Sequence, residues 1–252
     1  MCGRIVDDLT TELITDQYRV VGTARRGVDH RPNYNIRPTG TIRAVRLDAD
    51  GERELAALRW GFVPHWSKEM PKQAWINAKA ETIAEKGMWK KAFAERRALV
   101  PVTGFYEWQK LPGGKKQPFY IFLPDGPMTF AGIWETWHEG KDDEVVSAAV
   151  ATADPSKEFE RFHDRQVVVL RTRREQDAWL DPDTDENQLL KLLRPLPAGH
   201  LRFRPVGPAV NALGSHGPEC IEEGSVEAPA KPLKIKRPSR KEKSAGAQGD
   251  LF

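Results

Sequence analysis

Two stretches of strand-forming residues constrain the fold class before any single side chain is considered. Residues 42–46 and 53–60 lie on either side of Asp48-Ala49-Asp50-Gly51, a turn sequence that folds one strand back on the next. A second pair, 105–110 and 118–123, brackets Pro112-Gly113-Gly114, and strand patterns at 128–134, 145–152 and 166–172 follow. Helical signals are shorter and peripheral to this series. They fall at 8–18, 82–96, 155–162, 173–180 and 185–194, the third opening with Asp154-Pro155 as cap and first turn. No internal repeat is visible. The pattern predicts an α+β fold, a single domain on a mainly antiparallel, curved, barrel-like β-sheet with peripheral helices.

Of the 252 residues, 39% are hydrophobic and 8 are tryptophan, which suffices for a sizeable core. Residues 227–252 depart from this composition. They are rich in Pro, Ala, Ser, Gly and Lys, and seven Lys/Arg face three Asp/Glu, a net of +4. The whole chain carries +3, so residues 1–226 sit at −1 and any nucleic-acid site on them must be a local patch. The predicted boundaries are therefore a domain over 1–226 and a disordered basic tail over 227–252, suited to lying along a phosphate backbone or simply to solubilising the chain. No apolar run reaches the roughly 18 residues of a membrane span, and the N-terminus lacks a basic-then-apolar signal pattern. A cytoplasmic protein without membrane contact is expected. Cys2 and Cys220 form no CxxC pair and the six histidines are scattered, so neither a disulfide framework, a metal site nor another cofactor is expected.

The start, Met-Cys-Gly-Arg, is chemically distinctive. Removal of Met1 leaves Cys2 with a free amine and a thiol on adjacent carbons, groups with ordinary pKa values of about 8 and about 8.5. Such an aminothiol condenses with an aldehyde to an imine, and the thiol then closes a five-membered thiazolidine in a fast intramolecular step. The structural alternative is a retained Met1 and a Cys2 that is a small core residue of the first strand.

Four further segments set polar groups among apolar ones. Asn77, in Trp75-Ile76-Asn77-Ala78, can orient an amine or a sugar oxygen, or cap the helix that follows. Glu107, in Gly104-Phe105-Tyr106-Glu107-Trp108, places a carboxylate in an aromatic strand; buried, its pKa rises into the range of a general acid/base, and turned outward it is solvated. His163 precedes the apolar run 167–170 and can protonate a sugar hydroxyl or serve as a structural hydrogen-bonding residue. Arg59 to Trp66 form an aromatic loop beside charge, in which an exposed tryptophan can stack on a base.

Taken together, Met-Cys-Gly-Arg at 1–4, the motifs at 34–39, 59–66, 76–82, 104–108, 131–135 and 163–165, and 205–211 resemble, in order, the SOS response-associated peptidase (abasic-site processing) family over about residues 1–223. The resemblance implies that mature Cys2 forms a thiazolidine crosslink with the ring-opened aldehyde of an abasic deoxyribose in single-stranded DNA, after autoproteolytic loss of Met1. It further implies that Asn77 positions the linkage, that Glu107 transfers protons and helps reverse the crosslink, and that His163 contacts the deoxyribose and assists strand cleavage. Arg4 and Lys79 would hold flanking phosphates, and Pro38 and Trp66 would shape the base-stacking edge. The chain departs from the family pattern at Gln166-Val167 after the His163 motif, at Lys79 in place of arginine, at Val102-Thr103 and at Ala153-Asp154. Lysine still binds phosphate, though not bidentately.

The last residues, Gln248-Gly249-Asp250-Leu251-Phe252, look like a sliding-clamp-binding peptide, with Leu251 and Phe252 for an apolar pocket and Gln248 beside it. A monomer is expected. Two other functions remain open on sequence: an N-terminal-nucleophile amidohydrolase of glutaminase type, in which the Cys2 amine acts as base, and a non-catalytic single-strand-binding scaffold with Cys2 inert.

Overall fold

The computed structural model describes residues 2–23, 28 and 31–224; the tail over 227–252, with Gln248, Leu251 and Phe252, lies outside the described residues. In chain order the strands are β1 (Ile5–Asp7), β2 (Gly22–Thr23), β3 (Asn33–Ile36), β4 (Thr41–Leu47), β5 (Arg53–Trp60), β6 (Asn77–Lys79), β7 (Arg97–Val102), β8 (Gly104–Lys110), β9 (Lys116–Phe122), β10 (Met128–Trp137), β11 (Val145–Ala153), β12 (Gln166–Val167) and β13 (Arg202–Pro205). The helices are α1 (Thr11–Tyr18), α2 (Lys90–Glu95), α3 (Arg173–Leu180) and α4 (Glu186–Leu192).

The β4–β5 hairpin forms where the turn sequence predicts. The Asp48 side chain accepts from the amides of Asp50 and Glu52, both at 2.9 Å, and Gly51 takes the positive φ of 81° that closes the turn. From this hairpin the sheet extends antiparallel through β7, β10 and β11. Strand β11 then pairs in parallel with β5, at Ser147↔Arg59 and Ala148↔Trp60, closing a five-stranded barrel. A second sheet, in the order β13-β9-β8-β1-β3, packs against it. The α+β class and barrel-like sheet expected from the sequence are therefore found.

Alternation along the barrel strands sorts residues into two cores. Ile42, Ala44, Leu58, Val100 and Phe130 meet Ile5, Phe105 and Ile121 of the second sheet. Val45, Leu55, Leu99, Ile133 and Ala149 meet the helices through Ile14, Tyr18, Phe93, Trp179 and Leu180. Helix α1 starts at Thr10, whose hydroxyl accepts from the Leu13 amide, and α3 starts with a capping box of Thr172 and Glu175.

Three expected elements differ most from the prediction, while the helices expected over 8–18 and 185–194 are trimmed to Thr11–Tyr18 and Glu186–Leu192. Of 82–96 only α2 is α-helical; a single 3-10 turn at Ala80–Thr82 and further turns precede it, and Gly87, a poor helix former, stands between. The predicted helix at 155–162 is a run of turns. There Phe159 and Phe162, three residues apart, both enter the core, and the Gln166 side chain accepts the Ser156 amide that would have opened the helix. The strand predicted over 166–172 is regular only in β12. Beyond it Val168 bonds to Ala151 and Ala131, and Leu170 to Thr129, so the segment fills the gap where β10 and β11 separate.

Candidate active site

Pairing of β1 with β8 decides where Cys2 lies. The antiparallel register Val6↔Gly104 and Ile5↔Phe105, with the Tyr106 amide donating to the Arg4 carbonyl at 3.0 Å, runs residues 2–4 back alongside 106–108. The pairing depends on Gly104, because any Cβ there would overlap the Tyr120 ring and the Ile121 carbonyl of β9. Cys2 is thereby buried, 2% exposed, among apolar residues of the first core, and Glu107 on the adjacent strand is 5% exposed.

Asn77 approaches from the other side. It begins β6, which pairs in parallel with β11, and its Nδ2 donates to the Cys2 carbonyl at 3.1 Å. Its buried Oδ1 has no hydrogen-bond partner among the described residues. The structure thus places an unpartnered acceptor beside the residue that would carry the amine.

The electrostatics of these groups follow from burial. Desolvation, reinforced by the Glu107 charge, pushes the Cys2 thiol far above its ordinary range, so it is held as the thiol. Burial likewise raises the Glu107 carboxyl to about 7 against the opposing charge of the amino terminus. A carboxyl with that pKa exchanges its proton at neutral pH.

His163 lies in the turn before β12, and burial with nearby positive charge, including the amino terminus, Arg165 and Lys110, lowers its pKa despite Asp164. Its Nδ1 is 3.0 Å from the Arg165 amide and 2.6 Å from the carboxylate of exposed Asp164. These two contacts demand opposite protonation of Nδ1. Because a backbone amide can only donate and the ring is biased toward neutrality, we assign Nδ1 as acceptor and the proton to Nε2. Protonating Nδ1 would exchange the amide contact for the carboxylate.

The remaining predicted residues occupy distinct positions. Half-buried Arg4 donates to Asn35 Oδ1 at 2.8 Å and to the Val210 carbonyl at 2.6 Å, with its guanidinium 5.6 Å from the Trp108 ring. Burial and neighbouring Arg37 lower its pKa, and it pairs with no carboxylate among the described residues. Lys79 is exposed at the end of β6. Pro38 is exposed in the turn between β3 and β4, and Trp66, 58% exposed, lies on the loop after β5. These two are brought to one end of the barrel because Thr39 and Gly40 exchange backbone hydrogen bonds with Trp60, the last residue of β5.

Several supporting residues were not singled out by sequence reasoning. Fully buried Trp60 donates through Nε1 to the Ile76 carbonyl at 3.1 Å, which ties the Pro38 turn to the segment entering Asn77. Buried Asn35 holds Arg4 and donates to the Val210 and Ser215 carbonyls. Arg165 forks onto Glu81 at 2.9 and 2.7 Å and also reaches Asp154, binding the turn of His163 to the 3-10 turn after Lys79. Each lies inside a quoted motif, but only Asn35, set between Tyr34 and Ile36, is a polar residue in an apolar context; Trp60 and Arg165 carry no such local signal.

Comparison with known proteins shows the family. The family model for SOS response associated peptidase (SRAP) matches residues 1–213. The abasic site processing protein YoqW of Bacillus subtilis is 33% identical over 230 residues, which cover 88% of this chain and 99% of that protein. The abasic site processing protein HMCES of Xenopus tropicalis is 31% identical over 224 residues, covering 76% of this chain and 66% of that protein. A crystal structure of a Bacteroides thetaiotaomicron protein shares the fold with a TM-score of 0.77 at 20% identity, covering 89% of this chain and 100% of that one. A crystal structure of a phage-related protein from Bordetella bronchiseptica gives 0.65 at 31% identity, covering 81% of this chain and 94% of that one. With a family model spanning most of its length and relatives at this identity, the chain belongs to the SOS response-associated peptidase family.

Proposed function

We propose that this protein processes abasic sites in single-stranded DNA by covalent capture on Cys2 during the response to DNA damage. The observation that carries the reading is the convergence on one buried residue of Asn77, hydrogen-bonded to the Cys2 carbonyl, and of Glu107, whose charge acts on the Cys2 thiol and whose own pKa stands at about 7. Relatives named abasic site processing proteins support the substrate class.

Loss of Met1, by autopeptidase action of the same cysteine, frees the Cys2 amine. The amine adds to the aldehyde of the ring-opened deoxyribose and water leaves, giving an imine. The thiol sulfur then attacks the imine carbon; its proton passes to Glu107 and the imine nitrogen regains one, closing the thiazolidine. Asn77 Oδ1 is the acceptor for the nitrogen's hydrogen. Nε2–H of His163 serves the deoxyribose oxygen and, in a lyase step, strand cleavage. Arg4 and Lys79 hold phosphates, while Pro38 and Trp66 bound the stacked bases. The protein acts as a monomer in the cytoplasm, with Gln248, Leu251 and Phe252 tethering it to the sliding clamp.

The test is denaturing electrophoresis after mixing the full chain with a single-stranded oligonucleotide carrying one abasic site. A heat-stable shifted band is expected, absent in Cys2→Ala and in protein retaining Met1. Correctly processed protein that gives no band would overturn covalent capture.

A further inference from the structure

A cation beside the site is held in a way that neither the motifs nor the mechanism uses. Arg161, two residues before His163, is exposed, and its guanidinium carbon lies 4.7 Å from the Phe162 ring centroid, 4.9 Å from Phe203 and 5.8 Å from Phe119. The rings form one bed: Phe162 stacks on Phe203 at 5.2 Å and 18°, and Phe119 meets Phe162 edge-on at 5.1 Å. Phe119 is the cross-strand partner of Glu107, so the two side chains share a face of the β8–β9 hairpin. The bed therefore begins next to the general acid/base and ends under Arg161.

Three exposed arginines settle on carboxylates, Arg19 on Asp177, Arg171 on Asp125 and Arg194 on Glu175, whereas Arg161 settles on rings. Arg161 forms no ion pair and donates no hydrogen bond to any described residue, although Glu158 and Glu160 lie in the same turn. Cation–π contact with three rings holds the guanidinium in one place and leaves its N–H donors uncommitted. That is the arrangement a phosphate needs, since bidentate binding requires an oriented fork and prior orientation lowers the entropy cost of using it. Lys110, three residues beyond Glu107 on β8, is a second cation close enough to act on His163.

We propose that Arg161, seated on the Phe119, Phe162 and Phe203 rings beside His163, anchors a backbone phosphate of the nucleic-acid strand that passes Cys2, with Lys110 as its companion. This rests on the single-strand binding part of the function above and adds to it a contact made by no quoted motif. The competing role is purely apolar, the arginine stem shielding three rings from water.

Fluorescence anisotropy with an undamaged single-stranded oligonucleotide, which has no aldehyde to capture, separates the two across a salt series. Arg161→Met keeps apolar cover and removes the charge. It should weaken binding about fivefold at low salt and reduce the slope of log affinity against log salt by about 0.7, the value for one phosphate contact on a single strand. Arg161→Lys should retain the slope. Wild-type affinity and slope in Arg161→Met, with an unchanged melting temperature, would overturn the anchor while leaving capture by Cys2 intact. Failure of the wild-type protein to bind the oligonucleotide at all would overturn both the anchor and the DNA-binding reading beneath it.

Discussion

At the C-terminal end of β1, Asp7 receives two hydrogen bonds from the Arg43 guanidinium of β4, at 2.8 and 2.5 Å, with both side chains about 3% exposed. Arg43 also donates to the Leu9 carbonyl at 2.6 Å. Five residues earlier, Cys2 and Glu107 are as deeply buried, but there burial outweighs the compensations, so the thiol is driven upward and the carboxyl rises to about 7. The same short segment thus joins a charge pair that locks the second sheet to the barrel and a buried thiol beside a carboxyl that exchanges its proton near neutral pH. Buried charge that is matched gives rigidity; a buried carboxyl raised toward neutrality gives reactivity, and the first holds the second in place.

The largest effect is expected at the matched end. Asp7→Ala leaves Arg43 buried without its carboxylate and should cost about 3–5 kcal/mol, a fall in melting temperature of roughly 10 °C for a domain this size. Thermal unfolding followed by circular dichroism measures it. A loss below about 1 kcal/mol, the scale of an exposed pair, would show that this one is not an anchor, and the contrast between the two ends would collapse.

The opposite sign is expected at Glu107. Its folded pKa of about 7 stands above the ordinary 4.5, so between those values the folded state holds a proton that the unfolded chain releases. Stability conferred relative to the ionised chain is therefore present at pH 4.5 and lost as pH rises through 7. Glu107→Gln should stabilise the protein by up to about 3 kcal/mol above pH 7 and by little at pH 4.5, while slowing capture of an abasic oligonucleotide roughly 100-fold and abolishing the inflection near pH 7 in its rate. Denaturant melts at both pH values, paired with single-turnover capture, test the two halves. Equal stabilities of variant and wild type on the alkaline side of the transition would mean that burial of this carboxyl carries no cost.

What could be read from the sequence follows the range of the forces involved. The β4–β5 and β8–β9 hairpins were legible because strand pattern and turn chemistry are local, and Gly51, Gly113 and Gly114 each take the positive φ their turns require. The barrel-like sheet was expected as a class but the pairing that closes it was not, since that contact joins Arg59 and Trp60 to Ser147 and Ala148 in parallel, and no local pattern reports a pairing across that distance. Within the site, residue types suggested chemistry one at a time, and the resemblance grouped them. Neither indicated that Glu107 faces inward, which follows from the β1–β8 register, nor that Asn35, Trp60 and Arg165 would brace the motifs, which follows from tertiary hydrogen bonds alone.

Asn77 offers the smallest change in stability and the sharpest form of the comparison. Its Nδ2 bond to the Cys2 carbonyl contributes about 1 kcal/mol, and its partnerless buried Oδ1 costs a comparable amount. Asn77→Ala removes both, so the two terms offset and the melting temperature should stay within about 3 °C of wild type. Capture should nonetheless slow by at least about tenfold, because the acceptor for the Cys2 nitrogen and the tether on its carbonyl vanish together. Asn77→Asp separates these losses: it keeps an acceptor but sets a carboxylate against the Cys2 carbonyl, and should be the slower of the two. A residue that is near-neutral for folding yet costly for capture belongs with Cys2 and Glu107, whereas a variant that unfolds in proportion to its lost activity would place Asn77 with Asp7 and Arg43 in the scaffold.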